Sequence, residues 1–212
     1  MARRPSKKAA VTQVAPLASI AELEQVLGHR FKRPELLTLA LTHRSYVYDA
    51  VGSSAEEDRA DPSHDNEQLE FMGDAVLGFV TTEELFKRFP SFREGELSKL
   101  RAHLVSEKHL IRVAQELELG HYLNLGRGEE KSGGRNKTAL LVDALEAVLA
   151  AIYLDSGLET ARRFVLQLIV TPELERQVNA AGHLAFPSLI DLRDDTDPAR
   201  GLIAFGLSLI HI

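Results

Sequence analysis

Apolar residues recur at three- and four-residue spacing through most of the chain between Ser19 and Ala180, and no useful stretch alternates with a period of two. The pattern predicts an all-α fold. Ser19-Ile-Ala-Glu22 reads as a capping box that opens a first helix, with Ile20, Leu23, Val26 and Leu27 on one face and Gly28 just past its end. Pro34, a favoured first-turn residue, opens a second that should run through Leu41 into Thr42-His-Arg-Ser45. A third should span Glu67 to Arg88 and stop before Pro90. Ser91-Phe-Arg-Glu94 has the form of another capping box, opening a helix through Val105, and Ser106 caps the next, ending at Gly120. Further helices are expected over Thr138–Leu154, over Leu158–Val170, and from Thr171-Pro172 to about Ala180.

Between these elements, residues 46–65 form an acidic loop longer than a typical connection, and His121 to Asn136 a loop with a turn at Ser132-Gly-Gly134. Residues 1–18 are basic at Arg3, Arg4, Lys7 and Lys8 and otherwise small or polar, so disorder is expected there. After Ala180 the helical period is lost. Residues 181–212 read as an extension foreign to the domain, ending in an apolar peptide with no visible partner. The catalytic or binding unit should therefore lie in residues 19–180.

Length and composition allow one domain with a substantial core, since 44% of the 212 residues are apolar. The absence of cysteine excludes disulfides and thiolate metal sites and is compatible with a cytoplasmic setting. No apolar block follows the N-terminal basic residues, so they do not form a secretory signal, and no span long enough for a membrane is visible. The formal net charge of −6 argues mildly against a nucleic-acid partner, unless the acids are concentrated at a site that divalent cations neutralise.

The acids are so arranged. Glu67, Glu70 and Asp74 lie within about 60° of one another on a helical wheel, and Asp143 and Glu146 share a face as an i, i+3 pair. Such spacing on a surface helix usually marks a solvated face. Here Leu69, Phe71, Met72, Ala75, Val76, Leu77, Phe79 and Val80 fill the remaining circumference, so the helix is expected to be largely buried. Buried carboxylates are costly unless paired or metal-bound. Two such helices predict one oxygen-only site for Mg²⁺, with Mn²⁺ able to substitute, built from Glu70, Asp74, Asp143 and Glu146. A di-iron site would need Glu-x-x-His, and Gly73 and Leu149 stand where those histidines would be. Glu94 has equal claim as the third residue of a capping box, and Glu67 as a carboxylate at the positive end of a helix dipole. His43 reads first as a structural histidine, Lys131, Arg135 and Lys137 as a solvated turn, and Lys99, Arg101 and Lys108 as ordinary surface.

Taken together, Asn66-Glu-Gln-Leu-Glu-Phe-Met-Gly-Asp-Ala-Val-Leu77, Thr42-His-Arg-Ser45, Glu94-Gly-Glu-Leu-Ser98, Leu125-Gly-Arg-Gly-Glu-Glu130, Ser132-Gly-Gly134 and Asp143-Ala-Leu-Glu-Ala147 resemble the ribonuclease III family, in its order, over roughly residues 20–178. The resemblance implies the family's helical endonuclease domain. By position it makes Glu70, Asp74, Asp143 and Glu146 metal ligands, Asp74 and Glu146 catalytic, Glu67 and Glu94 acids near the cleavage site, and Phe71 a dimer-interface aromatic. It also implies a homodimer that cuts double-stranded RNA with Mg²⁺ to staggered ends bearing 5′-phosphate and 3′-hydroxyl, as in processing of rRNA and mRNA precursors, with no organic cofactor and no membrane partner. Met72, Ala150 and the length of loop 46–65 depart from the family pattern without touching a ligand. Nothing after Ala180 resembles the family's C-terminal double-stranded RNA-binding domain. Two rivals stand beside this reading: a protein of the same fold that grips structured RNA without cutting it, and a helical Mg²⁺–diphosphate enzyme, whose Asp-Asp-x-x-Asp pattern is missing here.

Overall fold

The computed structural model describes residues 19–51 and 64–181. The expectations for segments 1–18 and 182–212, and for residues 52–63 of the acidic stretch, lie outside the described residues. Among the described residues ten α-helices run in order: α1 Ile20–Leu27, α2 Pro34–Ala40, α3 Arg44–Val51, α4 Glu67–Arg88, α5 Glu94–Leu104, α6 Glu107–Glu116, α7 Arg127–Lys131, α8 Thr138–Ser156, α9 Leu158–Phe164 and α10 Thr171–Ala181. Among the described residues there is no strand, so the all-α expectation holds.

The core is organised around α8. Its Ala144, Ala147, Ala150 and Ala151 are fully buried and lack bulk, which lets α2, α4, α6 and α9 pack closely about it, with Leu145, Val148, Leu149 and Ile152 filling the gaps between them. The first helix is capped as expected: Glu22 N–H donates to Ser19 Oγ, Ser19 N–H donates to the Glu22 carboxylate, and Gly28 takes a left-handed turn at φ 62°. Its face is narrower than expected, because Val26 is about half exposed while Leu23 and Leu27 are buried.

Several boundaries differ from the sequence expectation. The second helix stops at Ala40 because Thr42 leaves the helix to bridge Asn124: Asn124 N–H donates to the Leu41 carbonyl at 2.8 Å and His43 N–H to the Asn124 carbonyl at 3.1 Å. Helix α3 then begins at Arg44, so residues 46–51 are helical and not part of a loop. Helix α5 starts at Glu94, after Arg93 and not after Ser91. Glu96, two residues further on, closes the cap by accepting from Arg93 N–H at 2.7 Å. Glu94 is thus the first helical residue, not the third. Helix α6 ends at Glu116, followed by Glu118 in the left-handed region and a 3-10 turn at Leu119–His121. The expected loop 121–136 contains α7 and a second 3-10 turn at Gly134–Asn136.

The expected helix over 158–170 changes character at Val165, where a wide π turn runs to Val170. There the Ile169 carbonyl accepts from His109 Nε2 at 2.8 Å. Buried Glu173 fastens α10 to α5 and α6 by accepting from His103 at 2.7 Å and Arg112 at 3.0 Å, and from Arg176 and Gln177 on its own helix. Burial pushes the Glu173 carboxyl up, but the hydrogen bonds from Gln177 and His103 and the charges of His109 and Arg112 outweigh it and hold it near about 2.

Candidate active site

Helices α4 and α8 cross in backbone contact. A methyl group placed on Gly73 would lie 1.9 Å from the carbonyl oxygen of Glu146. Only glycine fits there. The contact sets the register of the acids: Glu70 and Asp74 flank Gly73 on α4, and the residue it touches on α8 is Glu146, one turn beyond Asp143.

The start of α4 is tied down by two distant backbone groups. Asn66 N–H donates to the Thr42 carbonyl at 2.9 Å, and its buried side chain donates to the Ala40 carbonyl at 3.3 Å. The Thr42 hydroxyl in turn accepts from the Asn124 side chain at 3.1 Å. Gly126 N–H donates to Ser45 Oγ at 2.9 Å, and a methyl on Gly126 would meet the Ser45 carbonyl oxygen at 2.3 Å. The segments 42–45 and 124–126 are thereby laced together beside the acids.

The four carboxylates repel one another. Burial pushes the Glu146 carboxyl up to about 7, with the charges of Asp74, Glu70 and Asp143 adding to it. Glu70 is raised by burial and then by Asp143, Glu67 and Asp74. Asp143 is raised by burial, is held back by His43, and also feels Glu107 and Glu67. Among the described residues, no side chain forms an ion pair with Glu70, Asp74, Asp143 or Glu146. Apart from the His43 ring near Asp143, the described residues offer these four acids little to answer their charge. Among the described residues, too, no three acidic or imidazole side chains stand close enough to hold one metal ion, so the four form a facing set and not a closed cage. The donor chemistry, oxygen only and anionic, fits a hard divalent cation.

The remaining site residues are placed less centrally. Glu67 is exposed and paired with Arg44 at 2.8 Å. Glu94 is exposed on α5, accepts from Ser98 Oγ at 2.6 Å, and is not among the charges that shift Glu70 or Glu146. The expected burial of α4 is corrected: Leu69, Leu77 and Val80 face the core, but Phe71 is 81% exposed and Phe86 70%, and Phe79 and Met72 are also uncovered. Asp74 is likewise exposed. Helix α4 therefore has an inner apolar face, an acidic edge and an outer apolar face. Asn66, Thr42, Ser45, Asn124 and Glu107 also shape the site. Asn66, Thr42 and Ser45 stood in the sequence only as members of the family-like motifs, and nothing singled out Asn124 or Glu107.

The fold and site define an all-helical domain with paired acids on two crossed helices, a donor set suited to a hard divalent cation, and comparison with known proteins supplies its family. Residues 33–173 match the family model described as ribonuclease-III-like, and the chain belongs to that family. It is 56% identical over 153 residues to "Ribonuclease 3" of Solibacter usitatus, covering 70% of this chain and 54% of that protein. It is 50% identical over 149 residues to "Ribonuclease 3" of Pseudomonas putida (strain GB-1), covering 70% and 58%. The solved nuclease domain of ribonuclease III from Campylobacter jejuni superposes with a TM-score of 0.62 at 44% identity, covering 71% of this chain and 96% of that one. The chain thus spans a little over half the length of these curated relatives.

Proposed function

We propose that residues 19–180 form the catalytic unit of a Mg²⁺-dependent endoribonuclease that hydrolyses phosphodiesters of double-stranded RNA to staggered ends with 5′-phosphate and 3′-hydroxyl, acting in the cytoplasm on rRNA and mRNA precursors. The observation that carries this reading is the register at Gly73, which sets Glu70 and Asp74 opposite Asp143 and Glu146 in a family whose named relatives are ribonucleases. Glu70, Asp74, Asp143 and Glu146 would hold the cation, with Mn²⁺ able to replace Mg²⁺. A bound divalent cation supplies charge neutralisation at the phosphate and an acidified water. Asp74 and Glu146 would both act as carboxylates toward the cation and the attacking water, because the bound charge relieves the crowding that raises Glu146 in the metal-free chain. Glu67 and Glu94 would line the approach to the cleavage site. A-form duplex would be read by shape, with little sequence readout.

The outer apolar face of α4 supports a symmetric homodimer, since large uncovered aromatics on a helix mark an interaction surface. One solved structure of the Campylobacter jejuni domain is described by flexibility in a region involved in dimer formation. Replacing Phe71 with Ser should weaken self-association about 30-fold, as expected for a central aromatic anchor, with sedimentation velocity as the measurement. An unchanged monomer–dimer equilibrium would move the interface elsewhere.

Incubation of the purified chain with a long RNA duplex tests the main reading. Short 5′-phosphorylated products should appear with Mg²⁺ and vanish with EDTA. The standing of the four acids as a facing set, not a closed cage, favours one second reading, a domain that binds structured RNA without cutting it. Retained duplex binding with no product at any Mg²⁺ concentration would establish that alternative.

A further inference from the structure

Beside the acids, His43 holds a hydrogen-bond donor without a partner among the described residues, on a side chain fixed in orientation. His43 lies in the laced segment between α2 and α3, half-buried, with its backbone N–H held by the Asn124 carbonyl. Its Nδ1 sits 2.8 Å from Ser45 Oγ and 3.3 Å from Ser45 N. Ser45 Oγ already accepts from Gly126 N–H, so its own proton is free to point at the ring. Nδ1 is therefore an acceptor, and the ring proton belongs on Nε2.

Nε2–H has no hydrogen-bond partner among the described residues. The ring lies within electrostatic reach of both Asp143 and Glu129. The neighbouring cations are committed: Arg44 to Glu67, Lys137 to Glu129 and Arg127 to Asp49. A histidine needed only to fasten Ser45 would use Nδ1 alone. Here the inner nitrogen is fixed on Ser45 and the outer one is left without a protein partner among the described residues, on a ring beside Asp143, where an incoming phosphodiester would meet the repulsion of the carboxylates.

We propose that His43 is a substrate-contacting residue whose Nε2–H donates to a non-bridging oxygen of the RNA backbone phosphate presented to the four acids. The assignment rests on the endoribonuclease reading above and names a residue for it.

Three variants separate a substrate contact from a structural role. His43→Gln places an amide donor near the position of Nε2, His43→Asn can keep the inner bond to Ser45 but cannot reach outward, and His43→Ala removes both. With duplex RNA and Mg²⁺, His43→Ala and His43→Asn should each lose about 10- to 100-fold in kcat/KM, the worth of one hydrogen bond to a charged group, while His43→Gln recovers most of it. The half-saturating Mg²⁺ concentration should stay unchanged, which would not be so if the ring merely positioned Asp143. Cleavage by His43→Asn at the wild-type rate, or a His43→Gln as poor as His43→Ala, overturns the assignment. Failure of the wild-type chain to cut would instead bring down the endoribonuclease reading and this assignment with it.

Discussion

Glu146→Gln should abolish Mg²⁺-dependent cleavage of duplex RNA by about 10³-fold or more, and should at the same time stabilise the metal-free protein. The second effect follows by linkage from the raised proton affinity of Glu146. In the folded chain Glu146 keeps its proton up to about 7, whereas its ordinary value is 4.5. Between those two values the folded state holds a proton that the unfolded state has released. Stability therefore falls as pH rises through that window, and the penalty is complete above it. Glutamine never ionises and escapes the penalty. In EDTA at pH 8 the variant should gain on the order of 1–2 kcal/mol after allowance for solvent screening, about 3–6 °C in melting temperature for a domain of this size. At pH 4 the gain should disappear. Added Mg²⁺ should raise the melting temperature of the wild type more than that of the variant, because the cation answers a charge that the variant lacks. A Glu146→Gln protein that cuts like wild type would remove this residue from the site. One that melts lower than wild type in EDTA at pH 8 would contradict the like-charge account of its environment.

Gly73→Ala should be the most damaging small substitution in the chain. The added methyl would occupy space 1.9 Å from the Glu146 carbonyl oxygen, and the obstacle is backbone, which cannot rotate away. Helices α4 and α8 would have to separate, opening the interface that carries most of the core. The expected loss is about 3 kcal/mol or more, seen as a fall of roughly 6–12 °C in melting temperature. Cleavage should fall further than stability alone explains, because the two pairs of acids move apart together with the helices. Gly95→Ala serves as a control within the same fold: a methyl there meets nothing within 4 Å, and the helix should gain slightly from the change. Similar melting temperatures for the two variants would mean that the crossing is looser than it stands here.

Much of this arrangement was legible in the sequence, and the gaps have physical causes. Helix α4 was readable from Glu67 to Arg88 because an apolar period near 3.6 runs up to the stop at Pro90, and the acids of α8 stood out against an apolar background. The burial of α4 was misjudged because periodicity counts apolar residues without saying what covers them. Phe71 and Leu69 look alike in sequence, yet one faces outward and the other the core. The start of α5 was misplaced because Ser91 to Glu94 and Arg93 to Glu96 both have acidic residues at cap spacing, and the chain uses the second. The break at Thr42 and the orientation of His43 depend on Asn124 and Gly126, some eighty residues away. No local pattern encodes such a contact. The π turn at Val165–Val170 is likewise invisible to periodicity, since it depends on His109 accepting the role of partner to a displaced carbonyl.

The long reach between the two halves of the site also bears on when it can exist during synthesis. Glu70 and Asp74 leave the ribosome while α8 is still unmade, and Gly73 has nothing to close upon until Glu146 has emerged. A nascent chain cut short before residue 138 carries half a set of acids on a helix whose inner face lies bare. The full set of acids would thus be assembled late and all at once, when the middle turns of α8 have emerged and closed upon α4.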